Sequence, residues 1–160
     1  MNGVVTGIGQ AATIGGTVTT GLVAGLFLAF STAVMPGLGR ADDRTFVVAM
    51  QAINVAILNP LFLTLFVAPL GFLAVAALTG PARWWVVAAL VLYVANVAIT
   101  QAGNIPLNDD ALMAAGTPDG PAGWDAARSA FEDAWNRLHL VRTLALVASF
   151  ACCVGALRAG

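Results

Sequence analysis

Trp135-Asn136-Arg137-Leu138-His139-Leu140-Val141-Arg142-Thr143 runs directly into Leu144 to Leu157, a stretch without a single charge. Trp135, His139 and Arg142 are spaced i, i+4, i+7 and share one face of a helix. A polar turn feeding an uncharged apolar helix is the pattern of a membrane span entered from water. Ionisable side chains at such a depth are expensive to keep, and they mark a candidate functional site. His139 is also the only histidine of the chain.

Composition agrees with a membrane-embedded fold. Hydrophobic residues make up 59% and charged residues 9%, against about 45–50% and about 25% in soluble domains. The 160 residues suit one compact bundle, a single membrane domain over residues 1–160. A net charge of −1 offers no basic stripe to phosphates, which argues against nucleic acid as a partner. All the basic residues are arginines, and none forms a polybasic run for lipid head groups. Cys152 and Cys153 are neighbours on a helix, point about 100° apart and read as small apolar packing groups. Met1 to Gln10 has no basic segment, so the long apolar stretch after it reads as a retained first span rather than a cleaved signal.

Four spans of about 20 residues can be drawn. They cover residues 11–31, 60–79, 84–101 and 139–157. Gly80-Pro81 makes a tight turn between the second and third, and residues 102–123, rich in Gly, Pro, Asp and Asn, read as the one long loop. The expected fold is all-α: a four-transmembrane-helix bundle, an integral multi-pass protein of the cell membrane. Asp42-Asp43 starts a helix (residues 43–59) that Pro60 should kink where it enters the membrane. Residues 124–138 form an amphipathic lead-in to the fourth span. The second and fourth helices therefore extend beyond the membrane, and an even number of spans puts both extensions on the same side. Thr17, Gly21, Gly25 and Ala29 form a small-residue ribbon at four-residue spacing on the first span. Its expected partner is a helix of the same bundle, with a second copy of the chain in a homo-oligomer as the alternative. Arginines stand on both sides of the membrane, so the positive-inside rule leaves the orientation open.

Counting inward at about 1.5 Å per residue brings the chain-distant polar residues Asn59, Asn104 and His139 to about 30 Å from the short-turn boundary. Gln51 and Asn54 lie further out, level with Glu132 and Trp135. Tyr93, Asn96, Thr100 and Asn104 line one face of the third span, and the loop adds Asn108, Asp109 and Asp110. Singly, each has an ordinary explanation: amides as interhelical glue, Asn108 in a turn, Trp135 as an interfacial anchor, Arg142 snorkelling. Independent glue, however, need not collect in one layer.

The same residues carry a resemblance. Phe30-Ser31 with Val34-Met35-Pro36-Gly37-Leu38, then Phe46, Met50-Gln51, Ile53-Asn54, Asn59-Pro60 and Phe62, then Asn104 with Pro106-Leu107-Asn108, then Trp135, His139 and Arg142-Thr143 follow in order a pattern that resembles the anthrone oxygenase-like family of small four-span membrane proteins. Asn often stands in that family where His139 stands here. The resemblance implies oxidation of an anthrone-like or phenolic substrate to a quinone with dioxygen.

Two functional readings follow. In the first, an oxygenase, His139 is the base that forms an electron-rich anion. Arg142, Asn104 and Asn108 stabilise the developing oxyanion. Phe46, Met50 and Trp135 wall the ring system, and Gln51, Asn54, Asn59 and Asn96 complete the binding surface. No cofactor is expected; His139 with Glu132, Asp133 or Asp109 would be a thin set of metal ligands. In the second, a non-enzymatic bundle uses the same layer to hold a lipid, a quinone or a partner membrane protein. A transporter has less support, because neither inverted repeats nor a charged central pathway can be traced.

Overall fold

The computed structural model describes residues 2–160 and is helical almost throughout, with no strand among the described residues. The elements are α1 (Asn2–Ala29), α2 (Met35–Leu38), α3 (Asp43–Ile57), α4 (Pro60–Thr79), α5 (Arg83–Ile99) and α6 (Gly120–Ala159). Four helical stretches are long and apolar enough to cross a membrane: Gly3–Leu38, Pro60–Thr79, Arg83–Met113 and Gly120–Ala159. Large apolar side chains on their outer faces, such as Leu61, Leu78, Val91 and Leu144, are exposed, as lipid-facing residues are. The chain is a four-span helical bundle and a membrane protein.

Close packing at the short-turn end depends on small residues. A Cβ on Gly9 would stand 2.7 Å from the backbone of Thr79 and Gly80, so α1 crosses the end of α4 almost backbone to backbone. Further along, Phe72 lies over Gly15, and Phe150 of α6 over Gly21. The expected ribbon is therefore half right. Thr17 and Gly21 face the bundle, but Gly25 has no neighbour within reach and Ala29 is exposed. The closest approach on the first span runs through Gly9, which that spacing did not include. On α4, Pro69 lacks an N–H and disturbs the carbonyls one turn before it; the Tyr93 hydroxyl donates to one of these, Phe66 O, at 2.7 Å. Ser149 Oγ donates to Ala89 O at 2.8 Å, tying α6 to α5.

Beyond this membrane core the helices overrun on one side and build a second, smaller core. Met35, Phe46, Val47, Met50, Leu112, Trp124, Phe131 and Trp135 are buried together there. Arg128 fastens the turn that enters it. The guanidinium donates to Glu132 (2.6 Å), Asp43 (3.0 Å) and the carbonyls of Ala41 and Gly39 (both 2.9 Å), and lies 4.6 Å from the Phe46 ring centroid. Asp42 caps α3, accepting from the Thr45 hydroxyl at 2.7 Å and its N–H at 3.0 Å. These bonds hold its carboxyl below the usual carboxylate range.

Three expectations change. Pro60 does not kink one continuous helix: α3 stops at Ile57 and α4 starts anew at Pro60, across Leu58 (ψ 40°) and the extended Asn59 (ψ 157°). A residue before proline avoids the helical region, and Asn followed by Pro is a strong helix start. Residues 102–123 are not one loop. The helix continues through π turns at Thr100–Asn104 and Leu107–Met113, leaving a short connection before Gly120. The first span likewise runs on through a π turn at Phe30–Val34 into α2. Each widened segment lies within two residues of a proline, Pro36 or Pro106. A missing N–H and a displaced carbonyl are what a π turn can absorb.

Candidate functional site

The π turns bring three chain segments to the level of His139, which is buried at 3% exposure. Its ring stacks on Trp135 (centroids 4.5 Å apart, planes 15°) and on Phe27 (5.3 Å, 28°). Both ring nitrogens are engaged. Nε2 lies 3.0 Å from Phe27 O; a carbonyl only accepts, so Nε2 carries the hydrogen. Nδ1 then holds the lone pair, and it receives Nε and Nη2 of Arg142 at 3.1 and 3.0 Å.

Arg142 is the centre of the arrangement. It is 7% exposed, and its third bond runs from Nη1 to Thr100 Oγ1 at 3.2 Å. Thr100 in turn donates to Asn96 O at 2.9 Å. The guanidinium carbon lies 4.6 Å from the Phe27 ring centroid and 5.2 Å from that of Trp135, a favourable setting for a cation. It has no carboxylate partner: the ion pairs among the described residues both belong to Arg128. A buried cation ordinarily requires a counter-charge, and here two of its five N–H bonds are unspent.

Beside it opens an apolar chamber of about 160 Å³. Phe27, Phe30, Met50, Phe62, Phe66 and Trp135 wall it, and Asn54, Thr100, Asn108, His139 and Arg142 supply its polar points. The volume seats about one aromatic ring, judged by a cavity of roughly 150 Å³ that holds benzene. Leu26, Leu58 and Leu63 line it and are exposed, so its apolar edge lies beside the break between α3 and α4. Asn108 accepts from Trp135 Nε1 at 2.8 Å, which points its oxygen at the indole and leaves its NH2 free. The Asn54 amide nitrogen is also buried without a partner. The unspent groups around the chamber are thus mainly donors.

The structure brings together His139, Arg142, Trp135, Asn108, Asn54 and Met50 from the residues expected at the site. Asn104 is buried one layer behind, its Nδ2 donating to Trp135 O at 3.3 Å, where it positions the indole's backbone. Gly103 allows that approach, since a Cβ there would stand 2.6 Å from Leu138. Four further residues do not line the chamber. Asn59 is exposed and caps α4, accepting from Phe62 N–H at 3.0 Å. Gln51 donates to Leu112 O and Gly116 O, bracing the connection before α6. Phe46 is buried in the outer core under Arg128. Asn96 is fully buried, with no bond from its amide. Of the acidic residues weighed as ligands, Glu132 is bound by Arg128, and Asp109 and Asp133 are exposed. Sequence reasoning did not assign Thr100, Phe27, Phe30 or Phe66 to the site. Thr100 stood on the polar track of the third span, but apolar aromatics in a membrane helix carry no local signal of what they face.

Comparison with curated proteins gives no match, and comparison with solved structures gives none either. The sequence model of the family described as Anthrone oxygenase does match, over residues 46–152. That stretch holds most of α3, all of α4 and α5 and the part of α6 that carries Trp135, His139 and Arg142, and by it the chain belongs to the anthrone oxygenase family.

Proposed function

We propose that the protein is a membrane-embedded oxygenase that takes a flat lipophilic anthrone-like or phenolic substrate from the bilayer and oxidises it with dioxygen. One observation carries this reading: Arg142 is a buried guanidinium without a carboxylate, at the wall of an aromatic chamber. Such a group binds the enolate or phenolate of a substrate more strongly than its neutral form. It therefore favours the electron-rich anion that reacts with dioxygen. The proton of that ionisation leaves to solvent. The anion's carbon bonds to one oxygen atom of dioxygen, and the intermediate peroxide then breaks its O–O bond. The methylene becomes a carbonyl, and the second oxygen atom leaves as water, taking the hydrogen that remained on carbon and one proton returned from solvent. The chamber seats one ring, and the remaining rings lie toward the lipid opening between Leu58 and Leu63. His139 acts in this reading by orienting Arg142, since its lone pair is already occupied. Asn108 and Asn54 supply donors to further substrate oxygens.

Oxygen uptake by the purified protein in proteoliposomes, followed together with quinone absorbance as a hydroxyanthrone is consumed, tests the proposal. Arg142→Gln should lower kcat by about 10²–10³-fold, the effect of losing one oxyanion-stabilising group. Absence of uptake above the lipid blank with every anthrone and hydroquinone tried would sink the oxygenase reading. It would leave a bundle that holds a quinone or lipid through the same donors.

A further inference from the structure

His139 belongs to the linings of two separate cavities, and it is the one residue they share. The second cavity, of about 470 Å³, lies on the far side of the imidazole, between the α1–α2 segment and α6. Ser31, Gly39, Arg40, Glu132, Asn136 and Leu140 form much of its wall. The two walls differ in kind. The chamber is mainly aromatic and aliphatic, with Asn54, Thr100, Asn108 and Arg142 as isolated polar points and exposed leucines at its opening. Polar side chains make up a larger share of the second cavity's wall, which alone carries a carboxylate, Glu132. By the residue count from the short-turn side its floor at His139 lies about 30 Å from that boundary, and Glu132 stands seven residues earlier on α6, about 10 Å further out. Charged side chains at that rim mark the side reached by water. Glu132 Oε2 accepts from Arg128 Nε. A Cβ on Gly39 would stand 3.2 Å from Met35 O and 3.4 Å from Glu132 Oε1, so the glycine leaves room beside that oxygen.

We propose that this second cavity is an aqueous vestibule, a binding site for water and exchanging protons that reaches His139 from the side opposite the lipid-fed chamber. The imidazole is then a septum between two phases. Small polar species pass to the water side at its edge while an apolar ligand stays in contact with lipid. The inference does not require the oxygenase reading; where that reading holds, the vestibule is the exit for the water formed in each turnover.

The sole histidine makes the test direct. Protein labelled with ¹⁵N-histidine and placed in lipid nanodiscs gives one imidazole spectrum, and saturation transfer from water measures exchange of its ring N–H. Wild-type protein should exchange measurably. Asn136→Phe, which fills the vestibule and breaks no hydrogen bond, should slow exchange about tenfold or more through lost solvent access. Ile53→Phe, which fills the chamber, should leave it unchanged. Leu140→Trp closes the vestibule from a second position and serves if Asn136→Phe does not fold. A wild-type ring that does not exchange overturns the proposal. So does slowing by Ile53→Phe, or no slowing by either vestibule variant that folds.

Discussion

A single imidazole with two committed nitrogens behaves as a strut. Nε2–H donates to the Phe27 carbonyl and Nδ1 receives Arg142; an asparagine in its place can make both kinds of bond, its NH2 donating and its carbonyl accepting. His139→Asn should therefore keep oxygen uptake within about tenfold of wild type, whereas His139→Ala, which strands the guanidinium, should lose about 10²-fold or more. Steady-state rates for both variants at saturating substrate distinguish a strut from a general base. A base would make the two variants equally inactive.

At the scale of elements, the spans and their overhangs were legible because their signals are periodic and local. The uncharged run after Arg142, the Gly80-Pro81 turn and the Asp42-Asp43 helix start each state their role within a few residues. The site was partly legible, because counting residues fixes depth but not the direction a side chain faces. Asn59 has the right depth and spends its amide on a helix start; Thr100 has the right depth and holds Arg142. What turns one away and the other inward are the helix break before Pro60 and the π turns beside Pro36 and Pro106. Such shifts of register are invisible to a 3.6-residue period. The small-residue spacing misled for a related reason: it weighed Gly25 with Gly21, although only contact with a second helix makes a glycine count. Gly9→Val sets side-chain atoms against backbone that cannot rotate away, and it should cost about 1–3 kcal/mol. Gly25→Val should leave stability unchanged. Thermal unfolding in one detergent, followed by loss of helical signal, compares the two; equal effects would contradict the packing described.

The molecule as a whole has two storeys, a membrane core and a smaller core outside it, with the site at the floor between them. α6 runs through both, and the outer storey holds Trp135 and Met50 against the chamber. Arg128 fastens that storey through four hydrogen bonds to the turn before α3, to Asp43 and to Glu132. Arg128→Ala should destabilise it by about 2–3 kcal/mol, the scale of lost hydrogen bonds to charged groups. Limited proteolysis should then cut within residues 39–43 while the spans stay intact. Unchanged proteolysis would show that packing alone secures the turn.

The opening between Leu58 and Leu63 decides how concentration must be counted. A ligand that arrives from the bilayer is sensed by the protein as a mole fraction in lipid, not as an amount per volume of buffer. Half-saturation should thus be a property of the membrane's composition. With protein and total substrate held constant, doubling the lipid should lower the rate below saturation by about half, while adding buffer leaves it nearly untouched.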